Sequence, residues 1–498
     1  MKTETETETK FDVDEVVVAG LETIDGVASV AAPDEFDLDA EYFDTTDLRL
    51  LRANIVLRRR LGGDDEGWHV KLERTPGERT EIHEPAGDDP TSIPESLWDL
   101  RVLPCHDAEL VPVARVRNHR RVYRLLDGAG APIAEVCDDH VTSTSIVAGS
   151  SAWRELEVEL TGDGDRALLQ RVGDHLERAG ARPSTSRSKL GRALGDPTFD
   201  VRRGHIPKSP TAGDVVAAFI DEQVAVMRRL DPAVRIDDPD AVHKMRVAVR
   251  RLRSTLATYR RLLDRDVTDP IRDELAWLGG VLGAARDAEV IRSQLLDAVD
   301  QQPAELVVGP VRERITATTM REHAEAHRGA MVDLSSRRYL ELMAALDVVS
   351  ERVQGKRANQ PAKARLPKEV RRTNERMRAH LDRALDGDRP TDDDLHDVRK
   401  AIKRVRYAAE AAAPVVGKRA AEYAERMQDA QEVLGDAQDS VVIRAVLCRV
   451  ADDAAVAGEP SFTYGRLHAA EEARGRERRD AFLRDVRDGW ARRPGWLR

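Results

Sequence analysis

The chain has 498 residues, which is too many for one hydrophobic core and predicts two to four domains. Its 90 acidic and 79 basic side chains give a formal net charge of −11, which argues against a nonspecific nucleic-acid-binding protein. The three cysteines are scattered and contain no CxxC pair, which excludes a disulfide framework and a zinc site. No apolar run approaches the ~18 residues of a membrane span, which excludes a membrane protein. We therefore expect a cytoplasmic protein.

The chain begins MKTETETETK, where threonines alternate with acidic residues. On composition alone, a short acidic and Thr-rich N-terminus is typical of a disordered tail. Strand side chains switch faces at every residue, so the same stretch as a strand would place Glu6, Glu8 and Lys10 on one face. These residues by themselves leave both interpretations open.

Strand-like segments with charge at every second position continue through the first 200 residues, and a predicted hairpin turns at Asp127-Gly128-Ala129-Gly130. Any one of these segments is ordinary surface alternation on a half-solvated antiparallel strand. Together they predict a closed barrel with a polar lining, in which acidic rows gather a divalent cation and basic rows hold a phosphate chain. The alternating charged residues are Arg58, Arg60, Lys71, Glu81, Arg115, Arg117, Glu155, Glu157 and Glu159.

The ordered motifs resemble the CYTH family of triphosphate tunnel metalloenzymes over about residues 3–195. They are ExExK, YFDTTDLRLLRANIVLRRR, WHVKLE, RTE, RxR, AEVCDD, ELEVEL and SKLGRAL. The resemblance implies an eight-stranded antiparallel tunnel that hydrolyses a triphosphate with Mg²⁺ or Mn²⁺, and it makes TETETK a tunnel strand. The family usually has aliphatic residues between these acids. The threonines put the register of the first strand in doubt, because a slip by one residue would turn every carboxylate outward.

The resemblance also implies roles for individual residues. The acidic set for metal and water would be Glu6, Glu8, Asp139, Glu155, Glu157 and Glu159. The clamp on the phosphate oxygens would be Lys10, Arg58, Arg60, Lys71, Arg115, Arg117 and Lys189. The catalytic residues would be Glu6, Glu8, Lys10, Glu157 and Glu159, and Arg79 with Glu81 would form a charged pair.

The texture of the sequence changes near residue 200. A helical period runs from Arg166 to a capping Gly180, and GDPTFDVRRGHIPKSP, rich in Pro, Gly and charge, reads as a linker. We therefore predict an α+β protein with a tunnel domain at residues 1–195, a linker at 196–210 and an all-α domain at 211–495. A gap rich in Lys, Pro and Gln near 353–369 divides the all-α domain into halves at about 211–352 and 368–495.

The two helical halves repeat one another. VHKMRVAVRRLRSTL in the first half matches LHDVRKAIKRVRYAA in the second, and LGAARDA matches LGDAQDS at nearly constant spacing. In each copy a basic stripe about 15 Å long lies beside an apolar face. The stripe residues are His243, Arg246, Arg250 and Arg253 in the first copy, and His396, Arg399, Lys403 and Arg406 in the second.

Most charge runs are solvated faces, but those mix signs, whereas these stripes contain no acid. An unbalanced stripe that occurs twice indicates binding of an extended anion. Asp287 and Asp439 of the LGxxxD elements are interpreted as charge partners of the basic side chains rather than as general bases. The histidines lie at helix starts without a paired His or Cys spacing, so a donor role is favoured over metal binding.

The two H-x-x-R-x-x-x-[RK]-R-x-R helices, each followed by LGxxxD, resemble the conserved-histidine α-helical (CHAD) domain over about residues 210–495. The resemblance implies two pseudo-symmetric helical bundles with a basic central surface that binds inorganic polyphosphate. Aromatic stacking platforms are nearly absent from these helices, which suits a base-free polyanion better than nucleic acid.

Three functions remain open from the sequence. The leading hypothesis is an inorganic triphosphatase whose helical domain recruits polyphosphate. The second is a non-catalytic polyphosphate-binding protein, associated with polyphosphate granules. The third is a related tunnel chemistry, namely thiamine or nucleoside triphosphate hydrolysis or adenylate cyclisation. Sparse aromatics, at 4% of residues, argue weakly against a nucleobase. The sequence does not determine the oligomeric state.

Overall fold

The computed structural model describes residues 2–14, 18–75, 78–87, 89, 92–105, 108–197, 206–386 and 390–497. The chain divides into two compact units, residues 1–201 and 202–498. Most of the predicted linker, residues 198–205, lies outside the described residues. The predicted domain boundaries stay predictions.

In the described residues, the first unit is built on ten β-strands. The strands are β1 (Lys2–Asp12), β2 (Ser29–Val30), β3 (Asp34–Asp44), β4 (Ile55–Leu61), β5 (Gly67–Thr75), β6 (Glu78–Glu84), β7 (Val111–Leu126), β8 (Pro132–Ser145), β9 (Gly149–Leu160) and β10 (Arg182–Pro183). Four helices accompany them: α1 (Arg49–Arg52), α2 (Trp98–Cys105), α3 (Arg166–Arg178) and α4 (Lys189–Ala193). Short 3₁₀ helices lie at Leu21–Thr23 and Glu95–Leu97.

Eight of these strands close into an antiparallel barrel. The order around the ring is β1-β6-β5-β4-β3-β7-β8-β9, and pairing of β1 with β9 closes it, while β2 adds to β7 and β10 to β1. TETETK is therefore part of a strand, as the family resemblance implied, and the tail interpretation is wrong. Its register with β9 places Glu8 opposite Glu159 and Lys10 opposite Glu157.

One apolar core of this unit, built around helix α3, lies outside the barrel. Helix α3 begins after Asp165, whose side chain accepts a hydrogen bond from Leu168 N, and it buries Leu168, Val172 and Leu176. These side chains pack on the outward-facing apolar residues of β8 and β9, among them Val158. Because apolar residues alternate with charged ones along the strands, burying one set outside leaves the charged set inside.

In the described residues of the second unit, the regular structure is helical. The helices are α5 (Ala212–Arg235), α6 (Ala241–Thr258), α7 (Arg265–Asp300), α8 (Val311–Leu334), α9 (Arg337–Asp347), α10 (Ala362–Ala384), α11 (Asp392–Val416), α12 (Lys418–Val456) and α13 (Phe462–Arg487). Short 3₁₀ helices lie at Ala304–Leu306, Val349–Arg352 and Gly495–Leu497. None of the helices in the described part of the chain combines the length and apolarity needed to cross a membrane.

The helical unit consists of two related bundles, which confirms the predicted fold class. Helices α5 to α8 correspond to α10 to α13, and the two basic repeats lie on α6 and α11. The starts of α5 and α10 meet in an antiparallel bridge between Thr211 and Pro361. There Ala212 N donates to Gln360 O at 2.8 Å and Ala362 N donates to Pro210 O at 3.0 Å, so equivalent segments of the two halves contact each other.

Candidate functional site

The barrel encloses a cavity of about 570 Å³ that is lined mainly by charged side chains. The cationic lining residues are Lys10, Arg58, Arg60, Lys71, Arg79, Arg120, Arg124, Arg187 and Lys189. The acidic lining residues are Glu6, Glu8, Asp64, Asp65, Glu73, Glu81, Glu135, Glu157 and Glu159. Most of the sequence-predicted tunnel residues therefore do face one shared space.

Strand β1 contributes a row of two carboxylates and one ammonium group to this cavity. Lys71 Nζ lies 2.7 Å from a carboxylate oxygen of Glu6, and Arg79 forms an ion pair with Glu8. Lys10 Nζ lies 3.4 Å from Glu8 Oε2 and also contacts Glu157. Burial raises the pKa of Glu6 to about 8, and the neighbouring Glu81 carboxylate adds to the shift.

Glu159 differs from the other tunnel acids. It lies opposite Glu8, and among the described residues it has no ion pair within 4 Å. Burial, with the charges of Glu8 and Glu157, raises the pKa of Glu159 to about 7. Two carboxylates directly opposite each other repel, so this part of the tunnel favours a cation or a proton between them.

A second acidic group lies where β8, β9 and α4 meet. Carboxylate oxygens of Asp139, Glu155 and Glu157 lie within 4.8 Å of one another. Lys189, on the first turn of α4, places Nζ 2.8, 2.7 and 2.7 Å from these three residues, respectively. Arg120 pairs with both oxygens of Asp139 at 2.7 Å and with Glu157 at 2.6 Å.

The local charges keep Asp139 and Glu157 ionised, because they lower the pKa of both carboxyl groups. Burial disfavours a charged carboxylate, but Arg120 and Lys189 outweigh it and lower the pKa of Asp139. Grouped carboxylate oxygens are the donors that hard divalent cations prefer. The donor set therefore fits a metal ion, with Lys189 and Arg120 as its neighbours.

Two predicted clamp residues, Arg115 and Arg117, do not line the tunnel. Both point outward and bind Asp39, at 2.7 and 3.2 Å, with side chains 53% and 66% exposed. The residues of β7 that face the cavity have even numbers, whereas Arg115 and Arg117 have odd numbers. The cationic residues at the inward positions are Arg120 and Arg124. The prediction was wrong because alternation places Arg115 and Arg117 on the same face of the strand but does not specify which face points inward.

Sequence reasoning also missed His69. Its ring is 1% exposed and contacts Glu81 Oε1 at 2.8 Å through Nδ1 and Asp65 O at 2.9 Å through Nε2. Burial lowers the pKa of His69 to about 4. His69 shares a strand face with Lys71, so the alternation in WHVKLE could have indicated it. The predicted Arg79–Glu81 pair also differs, because Glu81 binds Lys71 and Arg58 while Arg79 binds Glu8.

Arg60 faces the cavity and is repelled by two neighbouring guanidinium groups. It is 9% exposed and contacts Asp65 in the loop between β4 and β5. Burial and repulsion by Arg58 and Arg120 lower the pKa of Arg60 to about 9. Its charge would be stabilised by any anion that enters the tunnel.

In the helical unit the basic stripes of α6 and α11 converge. Arg250 is repelled by Arg246 and Arg406, and Lys403 by Arg399, Arg250 and Arg246. Burial and this repulsion lower the pKa of Lys403 to about 7. The Nε atoms of Arg250 and Arg399 are buried and donate no hydrogen bond among the described residues.

The ends of the stripes depart from the predicted pattern. Arg253 is exposed rather than part of the central cluster. Arg406 has an acidic partner, which the predicted stripe lacked. Its Nε lies 2.8 Å from Glu410, one turn further along α11. His243 and His396 are half-buried at the starts of the basic stripes, and burial followed by nearby cations lowers both of their pKa values.

The LGxxxD elements support the central arginines. Arg246 Nη1 lies 2.6 Å from Asp287, which confirms that residue as a charge partner. Asp439 attracts Arg399 but forms no ion pair within 4 Å in the described part of the chain. A Cβ at Gly283 would lie 3.5 Å from Arg246 Nη2, and one at Gly435 would lie 3.1 Å from Arg399 Nη2, so the glycines leave room for the guanidinium groups.

A closed antiparallel tunnel lined by opposed charges, followed by paired helical bundles with facing basic stripes, defines a two-domain protein of the CYTH and CHAD type. Family models match a CYTH domain at residues 4–187 and a CHAD domain at residues 218–448. The chain belongs to the family of proteins that carry a CYTH domain followed by a CHAD domain. CYTH domains generally act on triphosphates with a divalent metal ion.

Similar proteins cover either nearly the whole chain or a part of it. The Mycobacterium tuberculosis protein MT2285, described as uncharacterized, is 38% identical over 97% of this chain and 96% of its own length. Among solved structures, PptA from Streptomyces chartreusis is 21% identical with a TM-score of 0.47, over 56% of this chain and 99% of that one. The CHAD domain of the plant Ricinus communis is 24% identical with a TM-score of 0.47, over 60% and 98%.

Proposed function

We propose that the tunnel hydrolyses inorganic triphosphate in the presence of Mg²⁺ or Mn²⁺. The observation that carries this proposal is one cavity lined by nine cationic and nine acidic side chains. A triphosphate bears several negative charges within a short length, so a site for it needs cations on several sides. A site for its hydrolysis also needs acids that hold a metal ion.

The metal would be held by acids from the two groups described above. They are Glu6, Glu8, Asp139, Glu155, Glu157 and Glu159. When bound, a divalent cation neutralises phosphate charge and polarises a phosphoryl oxygen. Glu159 supports this assignment because it faces Glu8 without a cation of its own.

The phosphate oxygens would be bound by Arg58, Arg60, Lys71 and Arg120, with Lys10 and Lys189 beside them. Most of these groups pair with carboxylates, for example Lys71 with Glu6 and Arg120 with Asp139. A phosphate chain between them would replace those carboxylates as the acceptor and release the acids toward a metal. Substrate and metal therefore support each other's binding in this proposal.

The attacking water needs a group that orients it and accepts its proton. Glu159 is suited to this task because a general base is most effective when its pKa lies near the working pH, and that of Glu159 is about 7. Guanidinium and ammonium groups stabilise the charge that spreads over the equatorial oxygens during phosphoryl transfer.

The test is Mg²⁺-dependent phosphate release from inorganic triphosphate by wild-type protein and by Glu8→Gln. We expect the variant to lose hydrolysis while its circular dichroism spectrum stays unchanged. Glu35→Gln is the matched control, because Glu35 lies outside the barrel and pairs with the exposed Arg121. Undiminished turnover by Glu8→Gln would refute the assignment. Thiamine triphosphate and ATP in the same assay test the related tunnel chemistries.

A second activity, binding of inorganic polyphosphate by the helical unit, is favoured by the convergence of Arg246, Arg250, Arg399 and Lys403. Like charges that repel one another are retained at a cost in stability, which an extended polyanion would offset. A wild-type protein that binds polyphosphate but releases no phosphate from triphosphate would favour the non-catalytic, granule-associated alternative.

A further inference from the structure

The two basic helices are alike in sequence but not in the charges around them. At the spacing that aligns His243 with His396, Arg251 corresponds to Arg404 and Arg253 to Arg406. At the same spacing Glu410 on α11 corresponds to Ala257 on α6. The pseudo-symmetry of the bundles therefore relates an end formed by Arg251 and Arg406 to an end formed by Arg404 and Arg253, and only the first has a glutamate at this position.

At the first end a single carboxylate bridges the two helices. Arg251 Nε lies 2.9 Å from Glu410 Oε2, and Arg406 Nε lies 2.8 Å from Glu410 Oε1. Arg406 Nη1 also lies 3.4 Å from Gln431 Oε1 on α12. Both guanidinium groups at this end thus have acceptors within the protein.

At the opposite end the equivalent acceptors are missing. Ala257 stands where Glu410 would be, and at the spacing that aligns the two LGxxxD elements Gly279 stands where Gln431 would be. Arg253 and Arg404 are both solvent-exposed there, and neither has an ion pair within 4 Å among the residues that the structure describes.

Two further arginines add to this second end. Arg376 on α10 and Arg272 on α7 both repel Arg404, as does Arg253. Arg376 is exposed and also lacks an ion pair within 4 Å in the described ranges, whereas Arg272 pairs with Asp269 at 3.2 Å and with Asp273 at 3.7 Å. Asp397 is the acid that attracts Arg404, and it is engaged with Lys400 at 3.2 Å. Positive charge at this end is consequently in excess.

We propose that Arg253, Arg376 and Arg404 form a phosphate subsite beyond the central cluster, so that a linear polyphosphate chain leaves the cluster toward this end and not toward Glu410. The inference rests on the polyphosphate binding proposed above, and it adds the direction in which the bound chain leaves the central cluster. A polyanion follows uncompensated positive charge, and each phosphate that pairs with a cation releases a counterion. The Glu410 end cannot act in this way because its two guanidinium groups already share a carboxylate.

The test exchanges the charges of the two ends. Ala257→Glu places a carboxylate at the position that Glu410 occupies in the other half, and Ala257 is partly exposed, so the longer side chain has room. We expect affinity for long-chain polyphosphate to fall about tenfold and the slope of log affinity against log salt to decrease by about 1. Glu410→Ala, which frees Arg251 and Arg406, should instead raise the affinity.

Chain length and a second variant keep the test decisive. Tripolyphosphate, which is short enough to occupy the central cluster alone, should bind wild-type protein and Ala257→Glu equally. If Ala257→Glu does not fold, judged by circular dichroism, Arg404→Gln should show the same loss for long chains only. Unchanged affinity and salt slope in a folded Ala257→Glu or Arg404→Gln would overturn the subsite. Absence of polyphosphate binding by the wild-type protein would instead overturn the proposed binding function.

Discussion

Glu8 and Glu159 lie directly opposite each other on neighbouring strands of the tunnel, and both carboxylates face its cavity. Glu159→Gln removes one of the two charges and keeps the shape of the side chain. We expect the free energy of unfolding without metal to rise by up to about 1 kcal/mol, because a like-charge cross-strand pair is relieved. Metal-dependent triphosphate hydrolysis should fall by at least about 100-fold, because the proposed general base and metal ligand is lost.

Thermal unfolding and phosphate release on the same preparations check both parts. Glu41→Gln is the control, because this carboxylate pairs with Arg59 and does not line the cavity. A Glu159→Gln protein that is less stable but fully active would contradict the role assigned to this residue.

Arg120 and Arg117 are three positions apart on β7 but lie on opposite faces of the barrel wall. Arg120→Lys keeps the positive charge but loses the bidentate contact with Asp139, so kcat/KM for triphosphate should fall about 10-fold to 100-fold. Arg117→Lys should leave kcat/KM unchanged, because Arg117 binds Asp39 outside the tunnel. Steady-state kinetics of the two variants check the corrected register, and equal losses in both would contradict it.

Arg250 and Arg399 each carry a buried Nε atom without a hydrogen-bond partner in the described residues. Replacing either by Met should lower affinity for polyphosphate and reduce the salt slope by about 1, since one phosphate contact is lost. The same change should not lower stability, because repulsion within the cluster decreases. Titration at several salt concentrations, with the exposed Arg337→Met as control, measures this. A salt slope equal to that of wild type would argue against a phosphate contact.

Lys403 gives polyphosphate binding a pH dependence. Its pKa in the free protein is about 7 because of burial and repulsion by three arginines, so binding at higher pH requires uptake of a proton. Affinity should therefore fall as the pH rises from 7 to 9, and Lys403→Arg, which stays charged, should remove this fall. Calorimetry in two buffers of different ionisation enthalpy measures the proton uptake. The same uptake in Lys403→Arg would assign it to another group.

The same shift has a defined effect on stability. From pH 7 to the ordinary lysine pKa of 10.5, the unfolded chain holds a proton that folded Lys403 has lost. The contribution of Lys403 to the free energy of unfolding therefore rises with pH in this window.

Asp231 lies fully buried in the helical unit, where it accepts hydrogen bonds from Arg235 Nε at 2.8 Å and from Tyr339 OH at 2.9 Å. Asp231→Asn leaves the buried guanidinium without its counter-charge, so the helical unit should lose about 3–5 kcal/mol of stability. Urea unfolding followed by helical circular dichroism measures the loss. Asp347→Asn breaks an exposed pair with Arg228 and should change stability by only about 0–1 kcal/mol.

Much of the fold could be predicted from local patterns. Alternating charge on short strands indicated a polar-lined barrel, and the duplicated basic helices with their LGxxxD elements indicated two related bundles. Both inferences depend on the fixed periods of strands and helices, which are properties of the backbone. The basic stripes of α6 and α11 could therefore be recognised from the repeated sequence pattern alone, without knowledge of the residues that surround them.

Other features depend on which face of an element is buried. Arg115 and Arg120 each belong to an alternating row of charged residues on β7, and the two rows lie on opposite faces. Only the packing of the apolar outer shell decides that the row with Arg120 faces the cavity. In the sequence, His69 is only one of several alternating polar residues. Its contact with Glu81 is visible only in the tertiary structure.

The sequence by itself determined that charge is sorted along each strand and helix, because side-chain direction follows the backbone period. The tertiary structure alone decided which sorted rows meet, because contacts such as Glu8 with Glu159 or Arg251 with Glu410 join residues far apart in the chain. Their distances arise from sheet closure and helix packing, which no local pattern specifies.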